Sequence, residues 1–181
     1  MKNIKIKEVM TPLNEYITIR EDQTLYDVFH LIDTENNSDR TGHRDIVVMD
    51  ESGVFKGKIT MSDLFRALEP KYKLLNSLSE GGTLTKDYVL DAIKSFDLWL
   101  PPVSELCERG RGVKVSEVMY TPSETEYVYE NDSLEIALHK YVMDNHQPLI
   151  VRNDEQVTGV LRFEDLFEVI KDHMLTCSLS A

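Results

Sequence analysis

Basic charge is what this sequence has little of. It carries 20 basic residues against 32 acidic ones, and a net charge of -12 repels phosphate backbones and anionic lipid alike. Nucleic acid and membrane surfaces are therefore not expected partners, and any anion site must be local. Cysteine is scarce too: Cys107 and Cys177 lie far apart and form no C-x-x-C pair, a usage that fits a reducing compartment better than a disulfide scaffold. No stretch approaches the roughly 20 apolar residues that span a bilayer, and the N-terminus lacks the apolar core of a signal peptide. These absences predict a soluble, cytoplasmic protein. His30, His43, His139, His146 and His173 show no metal-ligand spacing, and no Ser/His/Asp or Cys/His set marks a nucleophile. Neither a metal centre nor catalysis is expected.

What is present is enough for a core, since 181 residues at 41% hydrophobic can hold one ordinary domain or two small ones. The most informative stretch is Gly57-Lys58-Ile59-Thr60-Met61-Ser62-Asp63, a strand running into the first turn of a helix. Thr60 at the strand end can donate to a phosphate, and a helix beginning near Ser62 points its unpaired N–H groups the same way. Asp63 can accept two hydrogen bonds at once, which suits the vicinal hydroxyls of a ribose. A weaker echo follows at Gly159-Val160-Leu161-Arg162-Phe163-Glu164-Asp165, where arginine replaces threonine. Helix capping is the competing explanation of both aspartates.

In chain order, Ile4 to Met10 is a short amphipathic opening that stops at Thr11-Pro12. Tyr16 to Ile19 reads as a strand, and Thr24 to Thr34 as a helix presenting Leu25, Val28, Phe29 and Ile32. After a polar loop over Asn36 to Arg44, Ile46 to Met49 and Val54 to Thr60 form a hairpin about Asp50-Glu51-Ser52-Gly53, and Ser62 to Leu68 is a helix. The order returns after residue 112: a strand at Tyr127 to Glu130, a helix at Leu134 to Met143, a hairpin of Pro148 to Arg152 with Val157 to Phe163, and a helix at Glu164 to Leu175. Val9-Met10 matches Val118-Met119 at an offset of 109, whereas Gly57 and Asp63 match Gly159 and Asp165 at 102. The seven-residue difference belongs in the polar loop of the first copy, where insertions are cheap. The expected division is a first repeat at 1–70, a helical insert or linker at 71–112, a second repeat at 113–176 and a tail at 177–181. Within the insert, Tyr88, Val89, Ala92, Ile93 and Phe96 have helical spacing. Trp99-Leu100-Pro101-Pro102 breaks it, and Val103 to Cys107 reads as a further turn before Arg109-Gly110-Arg111-Gly112. The insert is either packing for the repeats or, through Trp99 and the diproline, a docking surface for a partner.

A tandem β-α-β-β-α unit with V-M-T-P ahead of the first strand and G-x-x-T-x-x-D at the last helix resembles a pair of CBS domains, a Bateman module. The resemblance implies an α+β fold of two CBS repeats packed about a pseudo-twofold axis, with the helical insert between them and two equivalent clefts. It implies adenosine nucleotides (AMP, ADP or ATP) as ligands, with S-adenosylmethionine or divalent metals as variants. For the first cleft it assigns Asp63 to ribose, Thr60 with His43 and Arg44 to phosphate, and Tyr127, Val128, His146, Gln147 and Pro148 to the base. For the second cleft it assigns Asp165, with Ile17 and Thr18 as the equivalent first-strand positions. Arg162 departs from the pattern there, either as a phosphate clamp or as a side chain that fills the cleft. The function implied is a nucleotide sensor acting in trans on an effector protein, as a homodimer. The rival is a structural interaction or dimerisation module with vestigial clefts.

Overall fold

The computed structural model describes residues 3–36, 45–75, 85–99, 103–143 and 147–176. The strands are β1 (Thr11–Pro12), β2 (Thr18–Arg20), β3 (Ile46–Met49), β4 (Phe55–Ile59), β5 (Tyr127–Tyr129), β6 (Leu149–Asn153) and β7 (Gln156–Leu161). The helices are α1 (Leu25–Asn36), α2 (Met61–Leu68), α3 (Tyr72–Leu75), α4 (Lys86–Phe96), α5 (Val103–Gly112), α6 (Val115–Val118), α7 (Leu134–Val142) and α8 (Phe163–Thr176). Single 3-10 turns occupy Ile6–Glu8, Leu13–Glu15 and Glu124–Glu126. The fold is α+β, with one small mixed sheet for each repeat and a helical stretch between the repeats.

Two compact units result, one from Thr18–Tyr120 and one from Met1–Ile17 with Thr121–Ala181. The first holds a sheet of order β2-β3-β4, in which β2 runs parallel to β3 and β3 antiparallel to β4. Ile46, Val47 and Val48 are all buried, as expected for a central strand covered on both faces. The β3–β4 turn is set by Asp50, whose Oδ1 accepts from Ser52 N (2.8 Å) and Val54 N (2.9 Å), and Gly53 supplies the positive φ of 77°. Helix α1 starts from Thr24 and buries Leu25 and Val28, but Phe29, expected on the same face, is largely exposed. Arg109 to Gly112 was expected to follow a short turn; instead it completes the last turn of α5. Gly110 is buried, and a Cβ there would lie 3.9 Å from Tyr26 N, so the glycine lies close to the start of α1. Tertiary packing of this kind outweighs the weak helix propensity of glycine.

The segment that introduces the second repeat closes the first sheet. Val115 N donates to Gln23 O (2.8 Å), Ser116 N to Glu21 O (3.0 Å), and Tyr120 exchanges both backbone hydrogen bonds with Lys58. The opening of the chain does the same in the other unit: Ile6 N donates to Asp132 O (3.1 Å), Leu134 N to Ile4 O (2.9 Å), and β1 pairs antiparallel with β7. The residues that follow each V-M pair thus lie along the edge of the sheet built by the other repeat, Thr11–Pro12 as β1 and Tyr120 through a single bridge to Lys58. This explains the glycine of each G-x-x-x-x-x-D motif. A Cβ at Gly57 would meet Tyr120 O at 2.7 Å, and one at Gly159 would meet Thr11 O at 2.6 Å.

The second unit has sheet order β1-β7-β6-β5. Its core gathers Ile6, Val128, Leu134, Ala137, Tyr141, Leu149, Val151, Leu161 and Leu166. Tyr141 donates to Leu161 O and accepts from Leu149 N (3.1 Å), so its hydroxyl ties α7 to both strands of the hairpin, and burial raises its pKa.

Candidate ligand site

Thr60 and Asp63 are positioned by the strand-to-helix junction itself. β4 ends at Ile59, Thr60 is the N-cap of α2, and Asp63 falls in its first turn. The two side chains form a reciprocal capping box. Asp63 Oδ2 accepts from Thr60 N (2.9 Å) and Thr60 Oγ1 (2.7 Å), while Asp63 N reaches Thr60 Oγ1 at 3.4 Å. The hydroxyl proton of Thr60 is thereby committed to Asp63, as capping predicts. The other oxygen, Oδ1, is 3.3 Å from Arg66 Nη1, one turn along the helix.

Asp63 also faces an open cleft of about 500 Å³ within the 18–120 unit, between α2 on one side and α5 and α6 on the other. Ala67, Pro70, Val113 and Val118 give it apolar walls, and Arg66 and Arg109 give it two guanidiniums. Arg109 is fixed by donating to Leu68 O at the end of α2. A cleft of this volume, largely apolar with a few convergent polar groups, is within the range of small-ligand sites.

The V-M edge segments, the repeated sheet and the capped acid are the features that relate the chain to a family. The CBS domain profile matches residues 6–70 and 115–172. The chain belongs to the CBS domain family. It is similar over 94% of its length, and 95% of the other chain, to a CBS domain-containing protein of unknown function from Bacillus anthracis str. Ames Ancestor (TM-score 0.61, 15% identity). It is likewise similar to CBSX2 crystallised in complex with AMP (TM-score 0.60, 16% identity, 95% and 99% of the two chains). The CBS domain of a bacterial CNNM/CorC family Mg2+ transporter in complex with ATP matches at TM-score 0.59 and 19% identity, over 94% and 89% of the two chains. No curated protein sequence matches the chain.

In the second CBS repeat the equivalent acid is already engaged. Arg162 lies against Asp165 bidentately, with Nε to Oδ2 at 2.7 Å and Nη2 to Oδ1, and both side chains are mostly buried. Such a fork satisfies both carboxylate oxygens. Arg162 therefore covers the carboxylate that corresponds to Asp63.

The remaining positions differ in exposure and contacts. Val128 is buried in the core of its unit, so it offers only backbone to a ligand. Tyr127 is half-buried, and Arg152 covers its ring at 4.8 Å while also stacking on Tyr129 at 4.9 Å. Burial raises the Tyr127 pKa. Gln147 is exposed, Pro148 is buried behind a cis peptide bond, Ile17 is half-buried and Thr18 exposed. His43, Arg44 and His146 lie outside the described residues. Among the described residues no group of three or more His, Cys, Asp or Glu side chains is placed to hold a metal, and no helix is long and apolar enough to cross a membrane.

The sequence reading missed Arg66 and Arg109. Arg66 could have been found from its three-residue spacing behind Asp63, which puts both on one helix face. Arg109 had no local signal, since it reaches the cleft by long-range packing of the insert.

Trp99 is 39% exposed but anchored. Its backbone N donates to Glu69 Oε2 (2.7 Å) and its indole Nε1 to Tyr72 OH (2.8 Å), and its ring meets those of Phe65 and Tyr72 edge-on. Glu69 is 2% exposed and also accepts from Lys71 N (3.3 Å), so it joins the end of α2 to the end of α4. Pro101 and Pro102 lie outside the described residues.

Proposed function

We propose that this CBS pair binds an adenosine nucleotide (AMP, ADP or ATP) and passes its occupancy to an effector protein in trans, as a cytoplasmic homodimer without catalysis of its own. The observation that carries the proposal is Asp63, a buried carboxylate at a helix N-terminus that faces a cleft of nucleotide size beside two guanidiniums. A nucleotide offers hydroxyl donors to the acid and an anion to the arginines. Support also comes from relatives of the same fold that carry AMP and ATP. Ligand would shift a pre-existing conformational equilibrium in proportion to its preference for one state.

A second reading, a structural module with vestigial clefts, is favoured at one point only: Arg162 forks both oxygens of Asp165 in a mostly buried pair, whereas Asp63 meets a guanidinium at Oδ1 alone, from the exposed Arg66. The two readings combine as one working cleft and one closed cleft. Thermal unfolding with adenosine, AMP, ADP, ATP and S-adenosylmethionine separates them. The sensor gains stability with at least one adenosine nucleotide, as mass action requires. A transition unmoved by the whole panel leaves the structural module.

A further inference from the structure

The cleft beside Asp63 has a wall that the repeat does not supply. Arg66 reaches it from α2, with a side chain 59% exposed, and Arg109 reaches it from α5 of the insert. Arg109 is pinned at Leu68 O, a contact that leaves most of its five N–H donors to other partners. The acidic groups of the lining are Asp63 and Glu117: Asp63 Oδ2 is bound to Thr60 and its Oδ1 lies 3.3 Å from Arg66 Nη1, while Glu117 Oε1 accepts from Lys114 N (3.1 Å). A ligand for this lining must present an anion to the guanidiniums and hydroxyl donors to Asp63, and a nucleoside phosphate carries both on one ribose.

We infer that Arg66 and Arg109 form the phosphate grip of this cleft, so that the insert makes the first repeat selective for phosphorylated nucleosides over nucleosides. The inference rests on nucleotide binding at Asp63. In a protein of net charge -12, the two guanidiniums of this cleft balance its two carboxylates, Asp63 and Glu117, and guanidinium is the side chain best matched to phosphate oxygens.

The test is calorimetric titration of the full chain, Arg66→Gln and Arg109→Gln with adenosine, AMP and ADP. Each variant should weaken AMP and ADP about tenfold, equivalent to 1.4 kcal/mol, and leave adenosine within about twofold of wild type. Arg66 is exposed, so its replacement leaves the fold standing and keeps the test decisive even if Arg109→Gln unfolds the unit. Equal weakening of all three ligands, or of none, overturns the phosphate grip while nucleotide binding survives. An effect of Arg66→Gln but not of a folded Arg109→Gln overturns the part assigned to the insert. A wild-type chain that binds no ligand overturns both the grip and the nucleotide proposal.

Discussion

Replacing Gly57 by alanine asks whether the glycine of the motif serves the ligand or the sheet. The added Cβ would sit 2.7 Å from the carbonyl oxygen of Tyr120, which is backbone and cannot swing away as a side chain could. Relief requires Tyr120 to leave β4, breaking Lys58 N to Tyr120 O (2.9 Å) and Tyr120 N to Lys58 O (2.8 Å). Lys58 is fully buried, so its backbone groups would find no water. Each buried group left unpaired costs about 1–3 kcal/mol. With partial relaxation of the strand the total is expected near 2–4 kcal/mol. For a unit of this size Tm should fall by at least about 8 °C, read by circular dichroism. Gly112→Ala is the control, because nothing lies within 4 Å of a Cβ there and its helical position favours alanine. Gly57→Ala proving no more destabilising than Gly112→Ala would refute the close-approach explanation.

Other expectations concern single contacts. Thr60→Ala removes the cap of α2 and should cost about 0.5–2 kcal/mol in urea unfolding. Arg162→Ala should free Asp165 and raise nucleotide stoichiometry from one to two per chain, measured by equilibrium dialysis; an unchanged stoichiometry would mean that the second cleft is closed by something else. Glu69→Ala strips the acceptor from Trp99 N and Lys71 N and should destabilise the unit by about 1–3 kcal/mol, a loss that thermal unfolding would register. The Thr24 hydroxyl and then its backbone N–H hold Asp27 below the ordinary aspartate range. The stabilisation from that shift is complete above the ordinary range and is lost as pH falls through the depressed folded value, so Asp27→Asn should flatten the acid limb of the stability profile.

The repeat was legible because its hydrophobic patterning is local: Ile46 to Met49 and the first-turn acids of α2 and α8 fall where period and capping signals put them. The exchange of V-M segments was not legible. The pairing of Tyr120 with Lys58 and of Thr11 with Val160 is long-range, and the matching offsets in the sequence show only that these segments recur. The glycines thus serve the close approach of the edge segments, and the capped acids serve the helix starts that the sequence had offered as the competing explanation. At Arg162 the sequence left two roles open, a phosphate clamp or a side chain filling the cleft, and the bidentate pair with Asp165 is the contact that neither had named. The helix over Arg109 to Gly112 was hidden because two glycines in four residues argue against helix, while packing against α1 decides the outcome.

The central claim is that Asp63 binds the ribose of an adenosine nucleotide, and calorimetric titration of Asp63→Asn against wild type tests it most directly. Asparagine keeps an oxygen that can accept from Thr60, so the cap of α2 is largely retained, whereas alanine would mix lost binding with lost stability. Hydrogen bonds to a charged acceptor contribute about 1.5–3 kcal/mol each, so affinity for AMP, ADP or ATP should fall more than about tenfold at nearly unchanged Tm. The corresponding Asp165→Asn should lose less. Wild-type affinity retained in Asp63→Asn, or a larger loss in Asp165→Asn, would contradict the assignment of the working cleft to the first repeat.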